Sequence, residues 1–95
     1  MIINVVNNMK EVMKMQFVRV FGKPKCQQCR MVKRWLDEHN INYEYSDITE
    51  DTHALGEIKL AGFLSVPVTY IDSDNYNGYV QGFNPSVLQS ILGGK

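Results

Sequence analysis

From residue 16 onward, hydrophobic positions recur with the periods typical of strands and helices in turn. Residues 17–21 form a short β-branched and aromatic run, ended by Gly22 and Pro24, which predicts a buried strand. Residues 26–39 place apolar side chains on one face and charged side chains on the other, which predicts an amphipathic helix ending near Asn40. The regular part of the chain therefore opens with a strand followed by a helix.

The rest of the chain continues in short elements of the same kind. Residues 43–48 alternate as a second strand, and Thr49 is expected to cap a second helix that has two acidic residues in its first turn. Residues 66–71 and 76–81 predict two further strands joined by a turn. Asn84 is expected to cap a final helix with proline at its first position, and a pair of glycines is expected to end it.

The predicted order of elements is β-α-β-α-β-β-α. A strand–helix–strand opening implies a parallel pair of strands with a right-handed crossover, and the closing strand pair implies a hairpin. Four strands and three helices make an α/β domain, in which a four-stranded mixed sheet is flanked by helices. We expect one such domain over residues 16–92, preceded by an extension over residues 1–15.

The extension has a pattern of its own. It contains four of the five methionines, and its apolar residues recur at helical spacing. One interpretation is a loosely ordered segment, with translation beginning at a later methionine; the other is an amphipathic helix that packs on the domain or on a partner. The segment lacks a positively charged leader and an Ala-x-Ala-like cleavage site, so it is not typical of a signal peptide.

Composition narrows the classes of function. Hydrophobic residues make up 44% of the chain and charged residues 21%, as in ordinary globular proteins. Ten Lys and Arg residues balance ten Asp and Glu residues, which argues against a nucleic-acid or membrane partner bound through bulk charge. No apolar run reaches the roughly 20 residues that a membrane helix needs. Two cysteines are too few to staple a secreted miniprotein, so we expect a cytoplasmic protein.

The chemistry of the sequence is concentrated in one Cys-x-x-Cys motif between the first strand and the first helix. Cys26 falls at the start of the helix, where unpaired backbone N–H groups and the helix dipole stabilise negative charge. This environment is expected to lower the pKa of the Cys26 thiol, and Lys23 and Lys25 add positive charge nearby. Cys29 follows one turn later, so Cys26 is suited to attack a foreign disulfide and Cys29 to resolve the mixed disulfide.

Other uses of the cysteine pair fit the sequence less well. A structural disulfide would close too short a loop to stabilise the fold much. Zinc binding within one chain would require His39 and His53, whose spacing matches no common finger, although a zinc site shared by two chains stays open. Haem attachment requires histidine after the second cysteine, where the chain has Arg30. A dithiol redox site without metal or cofactor is therefore favoured.

A second candidate element is the pair Val66 and Pro67 at the start of the third strand. One explanation is a proline that opens an edge strand, where its missing N–H is not needed. The other is a cis peptide bond beside the cysteines, which would leave the backbone of Val66 free to pair with an extended substrate segment. The sequence leaves both explanations open.

Together these features resemble the thioredoxin fold and, within it, the glutaredoxin family, over residues 16–92. The resemblance rests on the strand–Cys-x-x-Cys–helix unit, on the Val-Pro pair before a strand, and on the glycine turn after the fourth strand. It implies that Cys26 is the nucleophile, that Cys29 is the resolving cysteine, and that Pro67 follows a cis peptide bond.

Two segments indicate the branch of the family. Glutathione-using members carry Pro-Tyr between the cysteines and a later Gly-Gly-x-x-Asp segment, whereas this chain has Gln27 and Gln28 between its cysteines and no aspartate in the later segment. The chain is more similar to the NrdH-redoxins, whose Gly-Phe-Arg-Pro segment is matched by Gly82, Phe83 and Pro85. That similarity implies electron transfer from thioredoxin reductase to a class Ib ribonucleotide reductase.

The expected site and partners follow from this resemblance. The residues expected to contact substrate are Lys23, Gln27, Gln28, Val66, Pro67, Gly82 and Phe83. We expect a monomer whose partners are thioredoxin reductase and ribonucleotide reductase, with no nucleic-acid or membrane partner. A glutathione-dependent glutaredoxin is the first alternative, and a non-catalytic module that holds zinc or an iron–sulfur cluster between two chains is the second.

Overall fold

The computed structural model describes residues 16–93 and confirms the predicted order of elements. These elements are β1 (Phe17–Gly22), α1 (Gln27–Glu38), β2 (Glu44–Asp47), α2 (Thr52–Leu60), β3 (Val68–Ser73), β4 (Tyr76–Gln81) and α3 (Pro85–Leu88), which continues as a wider π-type turn over Gln89–Gly93. The two interpretations of residues 1–15, and the predicted stop at Gly94, fall outside the described residues.

The strands form one mixed sheet in the order β2-β1-β3-β4. Strands β1 and β2 run parallel, and their carboxyl ends meet where Gly22 lies opposite Asp47. Strand β3 is antiparallel to both β1 and β4, and residues 74–75 form the turn of the closing hairpin. The parallel register brings the end of β2 beside the loop that leads from β1 into α1.

The buried side chains gather in two clusters, because successive residues of a strand point to opposite faces of the sheet. The larger cluster joins β1 to α1, α3, β3 and β4 through Val18, Val20, Val32, Leu36, Ile71, Val80, Leu88 and Leu92. The smaller cluster joins β1 and β3 to α2 through Phe21, Ala54, Ile58 and Val68. The sheet is therefore the middle of three layers, with α1 and α3 on one face and α2 on the other.

The cap of α2 differs from the sequence prediction. The N–H and the hydroxyl of Thr49 both donate to Asp47 Oδ1, at 2.9 and 2.6 Å, and the N–H groups of Glu50 and Asp51 donate to the Asp47 carbonyl. This turn delays the helix until Asp51, whose side chain accepts from the N–H of Ala54 at 3.0 Å. The prediction of Thr49 as the cap is wrong because the Asp47 carboxylate binds that side chain first, and the two acidic residues precede the helix.

Two other boundaries can be compared with their predictions. Strand β3 spans Val68–Ser73 rather than residues 66–71, and the peptide bond between Val66 and Pro67, just before it, is cis. The last helix begins as predicted, with the Asn84 side chain accepting from the N–H of Val87 at 3.4 Å and proline in the first turn. Its later residues widen into the π-type turn, which the sequence pattern did not predict.

Candidate active site

The two cysteines lie at the start of α1, directly after the loop from β1. Cys26 is the N-cap of the helix, and its Sγ accepts a hydrogen bond from the backbone N–H of Cys29 at 3.1 Å. The two Sγ atoms are joined as a disulfide, with 5.2 Å between the Cα atoms. Cys26 is 9% exposed and Cys29 is 1% exposed, so both are largely buried and Cys26 is the more accessible residue of the pair.

The loop between β1 and α1 is fixed by two backbone features. Lys25, immediately before the first cysteine, has a φ of 58°, in the left-handed region that costs an L-residue about 1 to 2 kcal/mol. Gly22, at the end of β1, lies against the ring of Tyr45, and an added Cβ would overlap that ring. Because Gly22 has no side chain, the Tyr45 ring of the neighbouring strand can pack directly against the backbone at the end of β1.

A cavity of about 300 Å³ opens beside the disulfide. Its lining residues are Lys23, Pro24, Lys25, Cys26, Cys29, Arg30, Lys33, Tyr45 and Asp47. Four of these nine residues are cationic, and Asp47 is the anionic one. The surroundings of the sulfur atoms are therefore predominantly positive, which favours a thiolate over a neutral thiol.

One wall of this cavity is formed by an aromatic ring and a cation. The Nζ atom of Lys33 lies 4.0 Å from the centre of the Tyr45 ring, in the geometry of a cation–π contact. Burial, followed by the negative charge of Asp47, raises the pKa of Tyr45 above its ordinary value of 10.0. The Tyr45 hydroxyl is therefore neutral at physiological pH, and the ring contributes an uncharged wall.

A second group of predicted residues meets around Gly82. Its N–H donates to the Pro67 carbonyl at 2.8 Å, and its φ of 73° lies in the region that favours glycine. A Cβ at this position would lie 3.6 Å from Oε1 of Gln28, so the side chain of Gln28 covers the glycine. Within residues 16–93, no backbone hydrogen bond joins Val66, on the other side of the proline, to another residue.

The comparisons with known proteins agree with this geometry. The sequence model of the glutaredoxin family matches residues 18–75. The chain belongs to the glutaredoxin family. This glutaredoxin is 35% identical over 74 residues to the glutaredoxin-like protein NrdH of Lactococcus lactis subsp. lactis (strain IL1403), and the match covers 78% of this chain and 97% of that relative.

Solved structures place the glutaredoxin among thioredoxin-like folds. The thioredoxin-like protein BC3987 superposes with a TM-score of 0.70 at 30% sequence identity, over 79% of this chain and 99% of that chain. The NrdH-redoxin of Escherichia coli superposes with a TM-score of 0.66 at 19% identity, over 78% of this chain and 92% of that chain, which is a likeness of fold alone. The predicted thioredoxin-like fold is confirmed.

Family membership and the cysteine pair make this glutaredoxin a thiol–disulfide oxidoreductase. In residues 16–93, no helix is long and apolar enough to cross a membrane. The same part of the chain brings together no group of three or more His, Cys, Asp or Glu side chains that could hold a metal ion.

The remaining predicted site residues of the glutaredoxin take different positions. Lys23 lines the cavity beside the cysteines, and Gln27 lines a separate depression on the exposed face of α1. Phe83 is half-buried and packs against the larger core cluster, and Val66 packs against the smaller one. The structure thus brings Lys23 to the sulfur atoms and gives Phe83 a packing contact, while the roles of all these residues toward substrate stay predictions.

Besides Pro24, sequence reasoning missed four residues that line the cavity of the glutaredoxin. Arg30 and Lys33 lie on the turns of α1 that follow the cysteines, and Tyr45 and Asp47 reach the cavity from β2. The carboxyl ends of adjacent parallel strands meet at one edge of a sheet, so the predicted parallel pair carried the signal for the last two residues.

Proposed function

We propose that this protein is a dithiol electron carrier of the NrdH type, with its oxidoreductase domain over residues 16–92. In this proposal it acts as a monomer in the cytoplasm, accepts electrons from thioredoxin reductase, and reduces the disulfide of a class Ib ribonucleotide reductase. The observation that carries the redox step is the position of Cys26, the more exposed residue of the pair, at the N-cap of α1 among four cationic side chains.

The reaction consists of two successive thiol–disulfide exchanges, and its atoms and electrons balance. In the reduced protein, the Cys26 thiolate attacks one sulfur of the substrate disulfide; the substrate S–S bond breaks, and its other sulfur leaves as a thiolate that takes up a proton. The Cys29 thiol then loses its proton and attacks Cys26 Sγ, which releases the second substrate thiol. Two electrons pass to the substrate, and the product is the Cys26–Cys29 disulfide that the structure contains.

The start of α1 supports the first attack. The hydrogen bond from the Cys29 N–H to Cys26 Sγ, at 3.1 Å, stabilises negative charge on the sulfur that must carry it. Because Cys29 is 1% exposed, a substrate disulfide that approaches from solvent reaches Cys26 first. In the proposed mechanism Gln28, Pro67 and Gly82 flank the approaching substrate. The backbone of Val66, which makes no backbone hydrogen bond within residues 16–93, pairs with the substrate as an added strand.

The segment after β4 supports the NrdH branch over glutathione use. It contains no carboxylate, and its Asn84 side chain accepts from the N–H of Val87 and from the hydroxyl of Ser86, at 3.4 and 3.1 Å. Asn84 is thus engaged in capping α3 and supplies no negative charge for the amine of glutathione. The relative named NrdH, of which the match covers 97%, supports the same branch.

A coupled assay tests the proposal. With NADPH and thioredoxin reductase as the electron source, we expect efficient reduction of a model protein disulfide, and with glutathione, glutathione reductase and NADPH we expect little turnover. A class Ib ribonucleotide reductase supplied with this protein and thioredoxin reductase should form deoxyribonucleotides. The opposite preference, for glutathione over thioredoxin reductase, would overturn the proposal.

A glutathione-dependent glutaredoxin is the second candidate, and the positive cavity suits it as well. Lys23 and its cationic neighbours would suit the carboxylates of glutathione as well as those of a protein. The two candidates differ in the reductant alone, so the coupled assay separates them.

A further inference from the structure

Cationic residues cluster around the cysteine pair although the chain has no net charge. The Lys and Arg residues that the structure describes are Arg19, Lys23, Lys25, Arg30, Lys33, Arg34 and Lys59. Five of these seven lie within residues 23–34, which form the loop before α1 and the first two turns of that helix. The net charge of the chain is therefore zero although its positive side chains are concentrated near the cysteines.

None of the five cations forms a salt bridge with an acid of the described chain. The ion pair that residues 16–93 contain joins Arg19 to Glu57 at 2.9 Å, outside the cluster. Asp47 is the acid that lines the cysteine cavity; the other described acids belong to the last turn of α1, the start of β2, the region around α2 and the hairpin. The cluster thus presents positive charge to whatever approaches the sulfur atoms.

Two depressions carry this charge from the disulfide along the exposed face of α1. The first is the cysteine cavity, lined by Arg30 and Lys33 among others. The second, of about 330 Å³, is lined by Gln27, Arg30, Met31 and Arg34. Arg30 lines both, so the two depressions adjoin. The spacing of three and then four residues from Gln27 to Arg30 to Arg34 keeps these side chains on one face of the helix.

We propose that Lys25, Arg30, Lys33 and Arg34, here called the cationic patch, select protein substrates whose disulfide is flanked by aspartate or glutamate. The inference deepens the proposed function and rests on it for the redox step. The substrate carboxylates supply counter-charges to cations that form no salt bridge within the described chain, and the planar guanidinium groups of Arg30 and Arg34 suit bidentate carboxylate binding. The occupant of the patch is an acidic segment of the partner protein.

The selection acts mainly on the rate of encounter. Complementary charge raises association rates by one to several orders of magnitude at low ionic strength, and salt weakens this gain. The Debye length falls from about 30 Å at 0.01 M to about 3 Å at 1 M ionic strength, so the preference for acidic substrates should disappear across that range.

Three synthetic peptides test the inference. They share one intramolecular disulfide and differ in their flanking residues, which are acidic, neutral amide or basic. We expect the reduced protein to reduce the acidic peptide about tenfold faster than the neutral one at low ionic strength, and the basic one more slowly, with the differences lost at high ionic strength. Equal rate constants for the three peptides at low ionic strength would overturn the inference.

Charge variants locate the effect. The double variant Arg30→Gln/Arg34→Gln should lower the acidic-to-neutral rate ratio, and the quadruple variant that also carries Lys25→Gln and Lys33→Gln should bring it close to 1. Lys59→Gln is the matched control, because it removes one exposed cation from the end of α2 and should leave the ratio unchanged. A ratio is used because any change in thiolate reactivity alters both rates alike.

Two further outcomes separate the possible failures. Reduction of all peptides at one rate would remove the inference and leave the proposed function standing, whereas failure to reduce any peptide with thioredoxin reductase as electron source would overturn both. If the double variant slowed the reaction with glutathione disulfide and left the peptide ratio unchanged, the patch would bind small carboxylates, and the inference would be wrong.

Discussion

The chain enters α1 and α2 through caps of nearly the same geometry. In both, the N-cap side chain accepts a hydrogen bond from the backbone N–H three residues later, at 3.1 Å from Cys29 to Cys26 Sγ and at 3.0 Å from Ala54 to the Asp51 carboxylate. Both caps follow a strand of the parallel pair. The cap of α2 is a carboxylate oxygen, whereas the cap of α1 is a sulfur that gains negative charge when the disulfide is reduced and the thiol ionises.

The difference between the caps lies in the atom and in its surroundings. At the start of α2, the Asp51 carboxylate accepts from an N–H group that has no partner within the helix, and so stabilises the first turn. At the start of α1, the Cys26 sulfur accepts from such an N–H group. This sulfur can break its disulfide bond to Cys29, and it lies in a cavity lined by Lys23, Arg30 and other cations. The same kind of hydrogen bond therefore stabilises the start of α2 and, in the proposed mechanism, prepares Cys26 as the nucleophile at the start of α1.

The largest expected effect comes from removing the sulfur at the first cap. Cys26→Ser should abolish reduction of a model disulfide, because no nucleophile remains, while the fold is kept because serine is a good N-cap residue. Turnover is measured in the coupled assay and folding by circular dichroism. Residual turnover close to that of the wild-type protein would show that Cys26 is not the attacking group.

A matched variant at the second cysteine completes this test. Cys29→Ser keeps the sulfur at the cap and removes the group that resolves the intermediate, so it should accumulate a mixed disulfide with the substrate, detectable by mass spectrometry. Full dithiol turnover in both variants would contradict the assignment of the site.

An intermediate effect is expected at the second cap. Asp51→Ala should lower the free energy of unfolding by about 1 kcal/mol and leave turnover unchanged, because α2 lies behind the smaller core cluster and outside the cysteine cavity. Asp51→Asn retains an acceptor oxygen and should cost less. Urea denaturation measures the loss, and a large decrease in turnover for Asp51→Ala would show that the two caps are coupled.

The smallest effect is expected from the aromatic wall beside the first cap. The folded protein has a raised pKa at Tyr45, caused first by burial and then by Asp47, so the folded state holds the phenol proton at a pH at which the unfolded chain loses it. Tyr45 therefore contributes a loss of stability as the pH rises through the ordinary tyrosine value of 10.0. Tyr45→Phe should make the alkaline fall of the unfolding free energy shallower, and an unchanged slope would contradict this cause.

The sequence pattern was sufficient for the features that depend on neighbours along the chain. Hydrophobic periodicity predicted β1 and α1, and the position of Cys26 between them placed its sulfur at a helix start. The sequence pattern failed at the start of α2, where it indicated Thr49 as the cap. In the structure, the Asp47 carboxylate accepts from both the N–H and the hydroxyl of Thr49. That choice between two acceptable caps is decided by the shape of the turn.

Other features of the site depend on contacts between distant segments. Tyr45 and Asp47 reach the cysteines because β2 pairs with β1 in one particular register, and a shift of one residue would turn their side chains to the opposite faces. Phe83 was predicted from the sequence to contact substrate. Its packing on the larger cluster depends on how α3 lies against the sheet, which the sequence does not specify. These arrangements required the three-dimensional structure.

The hydrogen bond at the start of α1 also bears on the driving force of the reaction. Any contact that stabilises the Cys26 thiolate stabilises the reduced protein relative to the oxidised one, and so makes the pair a weaker reductant. A stronger bond at this point would therefore raise the thiolate fraction of Cys26 while lowering both its nucleophilicity and the tendency of the pair to give up electrons. The start of α1 thus ties the availability of the Cys26 thiolate to the reduction potential of the pair, through a main-chain donor that side-chain substitutions leave in place.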